Sequence, residues 1–142
     1  MHPHPDASLI AALRARGQRV TPQRLLIHRT LRELDRHLTA EEVLTAVGDS
    51  LPNTSLPTVY ATLDLLEELG LARRVEAGTG SALYDGRLDE HQHMVCRRCG
   101  VVADVDVHVD LVPAQRAARR TGLRPDRAEV VMRGLCARCA PA

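Results

Sequence analysis

Four cysteines fall in two matched pairs, Cys96-Arg97-Arg98-Cys99 and Cys136-Ala137-Arg138-Cys139. Two Cys-x-x-Cys knuckles at opposite ends of one short segment supply four thiolates, the number that a tetrahedral structural zinc requires. Gly100 permits the tight turn behind the first pair. A thioredoxin-like redox centre needs one pair rather than two, set at a helix start in a βαβ unit. Disulfides are disfavoured in a reducing compartment. Zinc is therefore the expected occupant. Immediately upstream lies His91-Gln92-His93. Imidazole suits zinc, iron, manganese and nickel, and added carboxylates favour the harder members of that list. On a strand the two rings share a face about 7 Å apart and reach one ion only where the chain bends. From spacing alone this pair is either half of a metal site or a plain surface pair, and the remaining ligands are not located.

The chain that must position these groups has 142 residues, 44% hydrophobic and 26% charged, the balance of a globular protein. No apolar run approaches the ~20 residues of a bilayer crossing. The start, MHPHPDASLIAALRARG, lacks a basic region, an apolar stretch and a cleavage site, so a cytoplasmic protein with no membrane association is expected. All 19 basic residues are arginine, and the net charge is only +1. Seven of them, at 14, 16, 19, 24, 29, 32 and 36, face only Glu33 and Asp35 in the early segment. Such a patch meets DNA phosphates or is simply a solvated face.

The periodicity predicts four helices and then a hairpin. The first spans about Ser8 to Arg16, with Leu9, Ile10 and Leu13 inward and Gly17 as its stop. In the second, Thr21 caps, Pro22 takes the first position, and Leu25, Leu26, Arg29, Thr30, Leu31 and Leu34 follow to about Asp35. Thr39 and Glu42 form a capping box for the third, which turns Val43, Leu44 and Val47 inward. Ser55 caps the fourth; Val59, Leu63, Leu66 and Leu69 line its buried side, Thr58, Tyr60, Ala61 and Thr62 its other face, and Gly70 ends it. LARRVEA and SALYD read as strands joined at Gly78-Thr79-Gly80. Helices followed by a small hairpin make a winged helix-turn-helix, with the fourth helix in the major groove and Arg73 and Arg74 against the backbone. A helical bundle serving dimerisation or protein binding fits the same pattern. After a polar hinge, HMVC, VVADVDVHV and AEVVMRGLC read as strands and VPAQRAARRTG as a short helix. That second part, about 50 residues, is too small for a self-sufficient apolar core, so the zinc acts as its staple. The expected division is 1–85 for the winged helix, 86–92 for the hinge and 93–142 for the metal-binding part: an α+β protein.

Taken together, RVTPQR at 19–24, TVYATLDLL at 58–66, HQHMVCRRCG and GLCARC at 134–139 resemble the ferric uptake regulator (Fur) family, over nearly the whole chain. The resemblance implies a homodimeric transcription factor, not an enzyme. Its N-terminal winged helix binds double-stranded operator DNA with an inverted repeat, its small C-terminal α/β domain dimerises, and it represses when a regulatory metal is present. It places the regulatory site on His37, Asp85, His91, His93 and Asp104, one ion clamping both domains and fixing the spacing of the two recognition helices. It makes Arg19, Arg24, Ser55, Thr58 and Tyr60 the DNA contacts, although Tyr60 as a core residue is an open alternative.

Two aspartates with three histidines resemble the peroxide-sensing branch of the family (PerR). There the ion is Fe(II) or Mn(II), and peroxide at Fe(II) oxidises a ligand histidine, here His37 or His91, and releases DNA. The alternatives are an iron- or manganese-responsive regulator without peroxide sensing, then a zinc or nickel sensor, and last a metalloenzyme or thiol oxidoreductase, which a coordinatively closed zinc does not favour. Some positions depart from the family pattern. The usual histidine run is thinned to Glu90-His91-Gln92-His93. Leu111 stands where an accessory site often has a carboxylate, so one structural and one regulatory ion per subunit are expected. Ala61 stands where many members carry arginine or asparagine.

Overall fold

A computed structural model describes residues 4–34, 36–76, 78, 80–89, 91–125 and 128–141. The expected helix end at Asp35, the hairpin residue Thr79 and the hinge residue Glu90 lie outside them. The chain divides into two compact units, Met1–Leu88 and Asp89–Ala142. No described helix is long and apolar enough to cross a membrane.

The first unit holds α1 (Ala7–Ala15), α2 (Pro22–Glu33), α3 (Ala40–Val47) and α4 (Leu56–Glu68), then a two-stranded sheet of β1 (Arg73–Val75) and β2 (Leu83–Asp85). The caps set the helix starts. Thr21, Thr39 and Ser55 each accept a hydrogen bond from the backbone N–H three residues on, and Glu42 returns one to the Thr39 amide, completing the capping box. Leu9, Leu13, Ile27, Leu31, Val43, Val47, Val59, Leu63 and Leu66 pack into one core with Leu38 and Tyr84. The helix-then-hairpin order is the winged arrangement expected.

One burial expectation needs correction, and the burial along α2 is now defined. Thr62 is buried rather than on the open face, because Val59, Thr62, Leu63 and Leu66 form the i, i+3, i+4, i+7 stripe of α4. Leu34 is exposed, since α2 ends at Glu33 and Leu34 is its cap, off the helical face. In α2 the fully buried side chains are Ile27, His28, Thr30 and Leu31, with Leu25 and Leu26 only packed against the core's edge.

Gly86, assigned to the hinge, is pressed against α2. A Cβ there would lie 2.9 Å from the Leu31 carbonyl oxygen, a contact that only glycine permits.

The second unit is a three-stranded sheet of β3 (Gln92–Cys96), β4 (Val102–Val105) and β5 (Val131–Gly134), in the order β4-β3-β5, with α5 (Val112–Arg119) between β4 and β5 in sequence. β3 runs antiparallel to β4 and parallel to β5. β3 starts at Gln92, so the last residue of the expected hinge belongs to the sheet. β4 is shorter than the alternation over 101–109 suggests: the Val107 amide donates to the Val105 carbonyl, a three-residue turn that takes the chain out of the ladder. Among the described residues of this unit only Val95 and Cys96 are buried apolar side chains, and α5 buries none.

Candidate metal centres

Parallel pairing of β3 with β5 sets Cys96 beside Gly134, and the Arg97 amide continues the ladder to the Gly134 carbonyl. The knuckle that follows β3 therefore meets the one that follows β5. Gly100, at φ 77°, closes the first turn, its amide donating to the Cys96 carbonyl; the Cys139 amide closes the second onto Cys136. All four Sγ atoms lie within 4.8 Å of one another, with Cys99 and Cys136 3.7 Å apart, and all four are free thiols. Zinc–sulfur bonds of about 2.3 Å in a tetrahedron separate the sulfurs by about 3.8 Å, so the cluster fits zinc.

Its electrostatics point the same way. The Cys99 amide, with that of Cys136, draws the Cys96 thiol down to about 6, and the Cys139 amide lowers Cys136. Cys139, hydrogen-bonded to Cys136 and buried against the others, is pushed up to about 12. Cys96 and Cys136 are thus favoured as thiolates while Cys139 is not, and a bound dication would favour the thiolate at Cys139 too.

The five His/Asp residues fall in two groups. In the helical unit, Leu38 and Tyr84 exchange both backbone hydrogen bonds as an isolated antiparallel bridge, 3.0 and 2.7 Å long. Antiparallel counting then puts His37 opposite Asp85, and His37 Nε2 lies 3.4 Å from Asp85 Oδ2. The other oxygen of Asp85 accepts the Arg87 amide at 2.9 Å, which fixes the carboxylate.

In the sheet unit, His93 is paired directly with Asp104 across β3 and β4, and His91 stands two residues earlier. Both Nε2 atoms lie 3.5 Å from Asp104 Oδ1, and the two rings meet edge-on with centroids 4.7 Å apart. His91 Nδ1 contacts the Asp89 carbonyl at 2.7 Å. A carbonyl only accepts, so Nδ1 carries the proton and the neutral ring offers Nε2 as a ligand. Each group presents imidazole nitrogen beside carboxylate oxygen, a donor set for a divalent first-row metal.

The residues assigned to DNA lie on the helical unit. Arg24 donates to the Arg19 carbonyl at 2.6 Å. Ser55 and Thr58 share the α4 cap, their hydroxyls 3.0 Å apart. Tyr60 is 38% exposed, with its hydroxyl 3.4 Å from Glu41, so it is not core.

The early arginine surplus is smaller than it reads. Arg29 pairs at 2.7 Å with Asp6, Arg36 with Glu42 and Arg16 with Glu68. Arg32 donates to the Pro5 carbonyl. Of the two arginines assigned to the hairpin, Arg73 donates to the Leu88 carbonyl and Arg74 pairs with Glu76. Asp6 was not anticipated: it precedes α1 in the place of a capping residue yet makes no side-chain cap and is buried against Arg29. Helical spacing from Ile27 and Leu31 would have marked buried His28 only as their neighbour.

Residues 15–133 match the family described as the ferric uptake regulator family. The chain is 37% identical over 129 residues to the transcriptional regulator FurA of Mycobacterium tuberculosis, covering 90% of this chain and 87% of that protein. It is 36% identical over 95 residues to the peroxide-responsive repressor PerR of Staphylococcus epidermidis, covering 67% of this chain and 63% of that protein. Its fold matches the ferric uptake regulator of Helicobacter pylori with a TM-score of 0.76 at 20% identity, over 96% of this chain and 91% of that one.

Proposed function

This chain belongs to the ferric uptake regulator family and is a metal-responsive transcriptional regulator, and we propose that it is a peroxide-sensing repressor that holds Fe(II) or Mn(II) on His37, Asp85, His91, His93 and Asp104. In this reading the chain acts as a homodimer on an inverted-repeat operator. Zinc sits on Cys96, Cys99, Cys136 and Cys139 as a permanent ion, and the regulatory ion is the replaceable one.

One observation supports the reading: within each unit imidazole nitrogen lies beside carboxylate oxygen, His37 with Asp85 in one and His91 and His93 with Asp104 in the other. Oxygen donors favour iron and manganese over zinc. Bound there, Fe(II) would supply peroxide reduction with oxygen added to a ligand imidazole, whereas Mn(II) would supply only the clamp. The chain does the rest. The Arg87 amide holds Asp85 in place, and the Asp89 carbonyl holds His91 in the tautomer that presents Nε2. In this reading an ion held by both groups would couple the conformation of the chain to its DNA affinity. Arg19, Arg24, Ser55, Thr58 and Tyr60 are the proposed DNA contacts; binding through arginine and phosphate predicts an affinity that falls steeply with salt.

A second reading, an iron- or manganese-responsive regulator without a peroxide role, is favoured by the longer match to FurA than to PerR. Purified protein loaded with Fe(II) or Mn(II), treated with micromolar peroxide and followed by DNA shift and peptide mass, separates the two. The sensor loses DNA and gains one oxygen on the His37 or His91 peptide in the iron form only. Retained DNA binding with unmodified histidines selects the second reading. Lost binding with unmodified histidines sinks the histidine-oxidation mechanism.

A further inference from the structure

Zinc with four thiolates carries a net charge of −2, and here it would stand near the surface, since Cys99 is exposed and Cys136 and Cys139 are only half-buried. Backbone amides offset part of that charge at Cys96 and Cys136. Two full positive charges stand in the first knuckle itself. Arg97 and Arg98 line a cavity of about 670 Å³ together with Cys139 of the other knuckle, Leu135 and Pro141.

These two arginines differ from those of the helical unit, where Arg16, Arg29, Arg36 and Arg74 each have a carboxylate partner. Among the described residues neither Arg97 nor Arg98 has one. Both side chains are exposed, and the Arg97 position is fixed by its backbone hydrogen bond to Gly134 rather than by its guanidinium. Nothing in the fold of the knuckle requires a cation at either place. A charge that shares a recess with a thiolate acts on it through a lower dielectric than one far out on the open surface.

We propose that Arg97 and Arg98, which share this cavity with Cys139, are counter-charge residues of the four-cysteine centre: their positive charges offset that of the tetrathiolate and strengthen its hold on zinc. The role rests on the reading of the cluster as a zinc site. It is a positioning of charge only, because neither side chain supplies a ligand atom.

The test compares full-length wild type, R97Q/R98Q, R97K/R98K and, as a control for overall charge, R119Q/R120Q on α5. Zinc content per chain is measured first, then zinc affinity by competition with a chromophoric chelator at low and high salt. R97Q/R98Q is expected to bind zinc about tenfold more weakly at low salt, with the gap closing at about 1 M salt as the charges are screened. R97K/R98K keeps most of the affinity and R119Q/R120Q all of it. Equal affinity in R97Q/R98Q and wild type, or an equal loss in R119Q/R120Q, overturns the counter-charge role while leaving the zinc site standing. A chain that carries no zinc in any form overturns the zinc reading and this role with it.

Discussion

The two units solve the same problem, how to close a small fold, by opposite means. The helical unit buries Leu9, Leu13, Ile27, Leu31, Val43, Val47, Val59, Leu63 and Leu66 in one continuous core, completed by Tyr84 from its hairpin. The sheet unit buries only Val95 and Cys96 among its described apolar side chains, and its helix buries none. Its other buried residues, His91, Gln92 and His93, are polar. Gln92 is spent on structure, its side-chain oxygen accepting the Val130 amide at 2.8 Å where β5 begins. Below a certain size, area burial cannot offset chain entropy and a covalent or metal cross-link takes over. One unit is held by its hydrocarbon, and the other has four sulfurs placed where a metal would cross-link it.

The sharpest way to break this comparison is to remove zinc. Structural zinc contributes on the order of 10–16 kcal/mol of apparent binding free energy in small zinc-dependent folds, more than a domain of this size has in reserve. Chelation, or Cys136→Ser, is therefore expected to unfold the sheet unit and leave the helical one intact. Amide exchange reads both at once: the protection of Met94 and Val95 in β3 should vanish while that of Leu63 in α4 persists. Protected β3 amides in zinc-free protein would mean that the sheet has a core of its own.

The converse change is Leu63→Ala. Its side chain is fully buried at the centre of the α4 stripe, and such truncations cost about 2–5 kcal/mol. The helical unit's melting midpoint should drop while zinc affinity, measured by chelator competition, stays at the wild-type value. A fall in both would show that the two units do not fold independently.

The helical unit was also the more legible of the two. Its caps are local, so Thr21, Thr39 with Glu42, and Ser55 announced three helix starts within a four-residue window. The four-cysteine centre was legible for the same reason, since each knuckle is a short spacing and only their meeting is long-range. The His/Asp groups were not. His37 reaches Asp85 through one bridge between Leu38 and Tyr84, far apart in sequence and without any strand pattern around Leu38. His93 reaches Asp104 through a register that alternation alone leaves free to slip. Resemblance named those residues, and the pairing in each unit supplies the physical reason. Asp6 stayed hidden because a residue with every mark of a helix cap turned inward to Arg29 instead.

The smallest expected effect concerns a buried polar group in the apolar unit. His28 on α2 is 2% exposed, and its pKa is lowered, first by burial and then by the nearby Arg32, with Asp6 pulling partly the other way. In the unfolded chain the ring titrates near 6.5. As pH falls the unfolded state takes up this proton first, so His28 leaves stability intact above about pH 6.5 and lowers it progressively below, until the ring is protonated in the folded state too. His28→Leu removes that proton uptake, and any constant packing difference between the two proteins shifts the whole curve without changing its slope with pH. Thermal melts of zinc-loaded wild type and variant between about pH 7.5 and 5 should diverge in slope, the wild type losing more on the acid side. Parallel curves would mean that the buried His28 costs the helical unit no stability on acidification.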